Sequence, residues 1–212
     1  MTAQIGLRSV EPISADDLLD ALRRTPLRGY EGALPYSAAS IELRRVAPDD
    51  LAPAQNYVLR DGVDRVLALR SALSSHGMDL FDLAGGVWIR TQDHPDERIP
   101  VLPPIVEESI EPDGRTVDLI SDGLHRVFAA RSVGAQITVV YVRGVPAEYP
   151  YYAYAEPDGW AAVHVLDELV EGHQKKRYRQ PESYKALFRD YNALFPGVQK
   201  QRTQTNPAHL RA

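Results

Sequence analysis

The run TVDLISDGLHRVFAARSVGAQITVVYVRG, residues 116–144, constrains the fold of this chain more than any other feature. A β-prone TVDLI passes through Ser121-Asp122-Gly123 into a segment with Leu124, Val127, Phe128 and Arg131 at helical spacing. That segment stops at Gly134, and QITVVYVRG resumes as a strand. The order requires a strand–turn–helix–strand unit. Glycine permits a sharp turn and close approach of other atoms. The first N–H groups of the helix have no internal partner, and the helix dipole favours an anion there, so phosphate suits the turn. His125 and Arg126, on the first helical turn, would add a titratable donor and a permanently charged fork for phosphate oxygens. The plainer alternative has Asp122 capping the helix and both basic side chains facing water.

Upstream, PIVEESIEPDGRTVDLI carries two β-prone runs around Pro112-Asp113-Gly114, a hairpin signal that delivers the chain into the turn. An earlier echo, RDGVDRVLALRSAL at 60–73, repeats the aspartate-glycine start and the Val, Ala and Arg pattern but has Asp64 where the later copy has His125. A carboxylate at that place would repel phosphate, so the first copy reads as a structural helix ending near Gly77. Ser14, with Asp16 and Asp17 behind it, predicts a helix running to about Arg24. Strands are expected at Ile41–Val46 and over 85–91. The acidic loop 92–100, with Asp93, His94, Asp96 and Glu97, reads as solvated rather than as a metal site.

The chain has 212 residues and no cysteine, which excludes disulfides, thiolate metal sites and cysteine nucleophiles. Neither a signal-peptide pattern nor an apolar run long enough to span a bilayer is present, so a soluble cytoplasmic protein without membrane contact is expected. Charge is uneven. Residues 171–212 hold nine Lys or Arg against three Asp or Glu, a net +6, while the rest carries −11. In the C-terminal third, 161–170 and 182–195 read as amphipathic helices, the second with Tyr184, Leu187, Phe188, Tyr191, Leu194 and Phe195 on one broad face that should dock on the body. The tyrosines at 149, 151, 152 and 154 either pack the segment down or offer stacking faces.

LPPIVEES followed by TVDLISDGLHRVFAARSVGAQITVVYVRGV resembles the ParB/sulfiredoxin-like superfamily, and PAQNYVLRDGVDRVLALRSALSSHG is similar to the loop and helix that precede that core. The resemblance spans roughly residues 41–145. It implies an α+β fold with a small mixed sheet, an N-terminal arm over 1–40, and a helical C-terminal extension over 146–212. In this superfamily the turn and helix start bind nucleotide phosphates. By resemblance, Ser121, Gly123, His125 and Arg126 become contacts for a nucleoside di- or triphosphate carrying Mg²⁺, with Asn56 and Arg60 reaching it from the neighbouring loop.

Departures from the pattern narrow the chemistry. Leu124 stands where sulfiredoxins carry a nucleophilic cysteine and where partition proteins typically carry a glutamate, so neither reaction follows. An acid for phosphoryl transfer or hydrolysis would come from Asp122, Glu107 or Glu108, and Lys175, Lys176, Arg177 and Arg179 would add phosphate contacts if the tail docks beside the turn. The expected function is nucleotide binding, with NTPase or small-molecule kinase activity as its catalytic extension. The alternative is a noncatalytic module that contacts nucleic acid or a protein partner through residues 171–212.

Overall fold

The computed structural model describes residues 5–195. In chain order the elements are β1 (Leu7–Ile13), α1 (Ala15–Arg23), β2 (Ser40–Val46), β3 (Ala52–Pro53), β4 (Tyr57–Leu59), α2 (Arg60–Ser74) and β5 (Gly86–Thr91). There follow β6 (Ile99–Val101), β7 (Ile105–Ile110), β8 (Thr116–Asp122), α3 (Leu124–Ser132), β9 (Ile137–Arg143) and β10 (His164–Leu166). The class is α+β, as expected. Five strands form a mixed sheet in the order β2-β9-β7-β8-β3, in which β9 runs parallel to β7 and β7 antiparallel to β8. The hairpin closes at the expected turn, where Glu111 N–H meets the Arg115 carbonyl at 2.8 Å and Gly114 adopts φ +84°.

β9 is apolar almost throughout because both its faces are covered. Ile137, Val139 and Tyr141 join the core formed with α2 and α3, while Val140 and Val142 join a second core with α1 and Tyr36. α1 starts where the sequence places it, with Ser14 Oγ accepting the Asp17 N–H at 3.1 Å. Residues 5–40 are more than an arm: β1 forms an antiparallel sheet with β5 and β6, pairing Val10 with Ile89.

The extension departs from expectation. Residues 161–170 do not form an α-helix; a 3₁₀ turn at Gly159–Ala162 leads into β10, which pairs in parallel with β4, Val165 opposite Val58. Residues 182–195 form two short 3₁₀ helices, Tyr184–Leu187 and Tyr191–Ala193, around an extended Phe188. Pairing with the loop after α1 breaks the helix. Arg28 N–H donates to the Phe188 carbonyl and Gly29 N–H to that of Ala186, both at 3.0 Å. Gly29 makes this approach possible, since a Cβ there would lie 2.2 Å from the Ala186 Cβ. The docking itself is as expected, with Leu187, Tyr191 and Leu194 buried. We call 173–195 the strap. Residues 196–212 of the basic tail lie outside the described residues, among which no helix is long and apolar enough to cross a membrane.

Candidate functional site

A cavity of about 490 Å³ opens where β8 runs into α3. Gly123 occupies the N-cap of α3 at φ +85°, ψ 24°, and its carbonyl accepts from Arg126 and Val127 N–H at 2.8 and 3.1 Å. The N–H groups of Leu124 and His125 are those that such a helix start leaves without intrahelical acceptors, and both residues line the cavity. Beside them Lys176 reaches in from the strap and donates from Nζ to the Tyr151 hydroxyl at 2.9 Å. Tyr57, Tyr152 and Phe188 supply the aromatic wall, and Gln55, Ser121, Arg189 and Tyr191 complete the lining.

Behind the floor lies a buried ionic network. Arg189 and Glu107, with side chains 1% and 2% exposed, pair through Nε–Oε1 at 3.1 Å and Nη2–Oε2 at 2.7 Å. Tyr36 donates to Glu107 Oε1 at 2.6 Å and lies 2.7 Å from the Tyr191 hydroxyl. Burial holds the phenols of Tyr36, Tyr151 and Tyr191 far above their ordinary range, so all three stay protonated at neutral pH. Burial alone would loosen the Arg189 proton; Glu107, Tyr36 and Tyr191 together outweigh it, and Arg189 remains cationic.

Of the expected site residues, Ser121, Asp122, Gly123, His125 and Lys176 meet in this cavity. Arg126 does not line it. The guanidinium folds back over Gly123 and bonds Asp122 Oδ2 at 2.9 Å, with Nε enclosed and lacking a hydrogen-bond partner. Glu107 is locked to Arg189 and Tyr36, and Glu108 projects from the opposite face of β7 into solvent, so neither is a lining acid. Arg60 pairs with Asp167 on the exterior. Asn56 binds His173 and the Gln174 carbonyl, and its N–H reaches the Lys175 carbonyl, fastening the β3–β4 loop to the strap. Arg177 donates to the Ala155 carbonyl, and Arg179 pairs with Glu111 at 3.1 Å.

His125 answers the puzzle of the two echoes. Its Nε2 accepts the Leu59 N–H at 3.0 Å, and its ring rests on Gly62, where a Cβ would come within 2.5 Å of Cδ2. The glycine of the first copy is the seat for the histidine of the second, and the ring ties the starts of α2 and α3 together. Accepting through Nε2 requires a neutral ring with its proton on Nδ1. Burial, then the Arg126 charge, lowers the pKa of His125 from 6.5. The folded chain therefore binds this proton less readily than the unfolded chain. The stability gained is present above about pH 6.5 and is lost as pH falls toward the lowered value. His125→Gln retains an acceptor for Leu59 and should flatten the acid side of a melting-temperature profile. Parallel profiles for variant and parent would assign the acid loss to other groups.

Gln55, Tyr57, Phe188, Arg189 and Tyr191 were not expected at the site. Tyr151 and Tyr152 had a local signal in the tyrosine cluster; the others come together only through long-range packing.

The family model of the ParB CE domain matches residues 17–164, more than half of the chain. No curated protein and no solved structure matches it.

Proposed function

The chain belongs to the ParB CE domain family, and we propose that it binds a nucleotide, with phosphate at the start of α3 and the base against the aromatic wall. One observation carries this reading: a single cavity combines a helix N-terminus and the Lys176 ammonium with the rings of Tyr57, Tyr152 and Phe188. The first pair attracts phosphate oxygens, and the rings offer faces for a planar base. The cavity volume lies within the range of roughly 300–1,000 Å³ typical of small-molecule sites.

Among the described residues, Asp122 is the one carboxylate lining the cavity. It would orient an acceptor hydroxyl or a divalent ion if phosphoryl transfer or hydrolysis takes place there. Among the described residues no group of three His, Asp or Glu side chains could hold a metal ion. Mg²⁺ would therefore arrive on the phosphates, with Asp122 as its protein contact.

A melting-temperature screen against nucleoside mono-, di- and triphosphates, each with and without Mg²⁺, tests the reading. A ligand that binds only the folded chain stabilises it by about 2.7 kcal/mol at a concentration of 100 Kd. Lys176→Gln should weaken binding by about 1.5–3 kcal/mol, the worth of a hydrogen bond to a charged group, with little change in the unliganded melting temperature. If no nucleotide shifts the midpoint, the reading fails and an oligonucleotide surface on the basic segment becomes the better account.

A further inference from the structure

The hydrogen bonds behind the cavity have a fixed direction. Glu107 accepts from Arg189 through both oxygens, and in its 2.6 Å contact with Tyr36 the phenol is the donor. A phenol has one proton. With that of Tyr36 engaged, the 2.7 Å contact between the two tyrosines can form only with Tyr191 donating. Tyr191 then has no proton left for Ser121 Oγ, 3.3 Å away. The Ser121 proton goes to the Ile105 carbonyl, at 3.1 Å, or to Tyr191. Tyr151 follows the same rule. It donates to the Ser121 carbonyl at 2.9 Å, and its oxygen receives Lys176.

The hydroxyl protons of Tyr36, Tyr191, Tyr151 and Ser121 are thus engaged within the floor, the first two in the chain that ends on Glu107. With its proton on the Ile105 carbonyl or Tyr191, Ser121 Oγ has lone pairs only for the cavity that Ser121 lines, while the start of α3 and Lys176 offer only donors. Resting on the nucleotide reading above, we propose that Ser121 is a specificity-determining residue that accepts a hydrogen bond from a sugar hydroxyl of the bound nucleotide. A sugar is the group that the position selects. Ser121 lies on the strand that leads directly into the turn, three residues before the first available helix N–H. It therefore meets the part of the ligand next to the phosphate rather than the base or the phosphate itself. A phosphate oxygen at Ser121 would bring acceptor against acceptor.

The test uses the full chain and the ribo, 2′-deoxy and 2′,3′-dideoxy forms of the common nucleotide that gives the largest midpoint shift, with affinities measured by titration calorimetry. Wild type should bind the dideoxy form about tenfold more weakly than the ribo form, the upper end for one neutral hydrogen bond. Ser121→Ala should bind the two alike and keep the parent's affinity for the dideoxy form. Tyr36→Phe frees the Tyr191 proton to turn toward Ser121, so discrimination should shrink although Ser121 is intact, an effect that mere loss of packing would not give. Equal binding of all three sugars by wild type, or discrimination that persists in Ser121→Ala, would overturn the proposal and leave nucleotide binding standing. Failure of every nucleotide to bind removes the nucleotide reading first, and this proposal with it.

Discussion

Arg189→Met should lower the unfolding free energy by about 3–5 kcal/mol, the usual cost of leaving one partner of a buried ion pair uncompensated. Glu107 would keep its Tyr36 contact but lose both guanidinium bonds in a site 2% exposed to water. The carbonyls of Tyr149, Pro150 and Leu187, each 2.8 or 2.9 Å from an Arg189 nitrogen, would lose a donor in the same step. Replacing both partners, as in Glu107→Met with Arg189→Met, should recover a large part of the loss, because a buried pair often contributes little beyond an apolar pair of similar volume. Arg98→Met supplies the contrast. Its partner Glu11 is about half exposed, and such pairs are worth only about 0–1 kcal/mol. Urea unfolding measures all three variants against the parent. A loss below that of Arg98→Met would mean that the strap does not seal Glu107 from water.

Gly123→Ala should have the second-largest effect, and it acts on the site as well as on the fold. An L-residue at φ +85° costs about 1–2 kcal/mol in backbone strain. The added Cβ would also lie 2.7 Å from Arg126 Nη2 and 2.9 Å from the Pro104 Cβ. Pro104 belongs to the backbone turn that enters β7, so relief must come from moving the start of α3. Nucleotide affinity should fall by at least about tenfold, since anion binding at a helix N-terminus depends on where the N–H groups point. Gly134→Ala is the control. At φ +65° it carries similar strain, but nothing lies within 4 Å of its Cβ position and it is remote from the cavity. Calorimetric affinity unchanged in Gly123→Ala, with the midpoint lowered equally in both variants, would detach the turn from ligand binding.

The elements readable from the sequence are those whose cause is local. Pro112-Asp113-Gly114 makes its own turn, Ser14 caps its own helix, and Ser121-Asp122-Gly123 opens its own strand-to-helix corner. The strap was misread because its apolar spacing is helical, whereas its backbone hydrogen bonds go to residues 28 and 29, more than 150 positions away. The strand at 164–166 likewise exists only because β4 pairs with it. At the site, the strand-to-helix turn was legible, since Ser121, Asp122, Gly123 and the helix start adjoin in sequence, whereas Lys176 joins them only through the strap. The floor was not legible. Tyr36, Glu107, Arg189 and Tyr191 each look like an ordinary surface or core residue in its own segment, and their chemistry arises from meeting. Arg126 illustrates the converse: its spacing suited a phosphate contact, but Asp122, at the end of the strand before the turn, claims it across Gly123.

The ion pair behind the cavity also orders events in time. Tyr36 and Glu107 leave the ribosome well before Arg189, so for the synthesis of some eighty residues the inner face of β7 holds a carboxylate whose countercharge does not yet exist. That face cannot be closed dry in the interim. The sheet can pair and the turn can form, but the floor and the Phe188 side of the aromatic wall appear together only when the strap arrives. The floor of the cavity is thereby completed only when nearly all of the described length has been made.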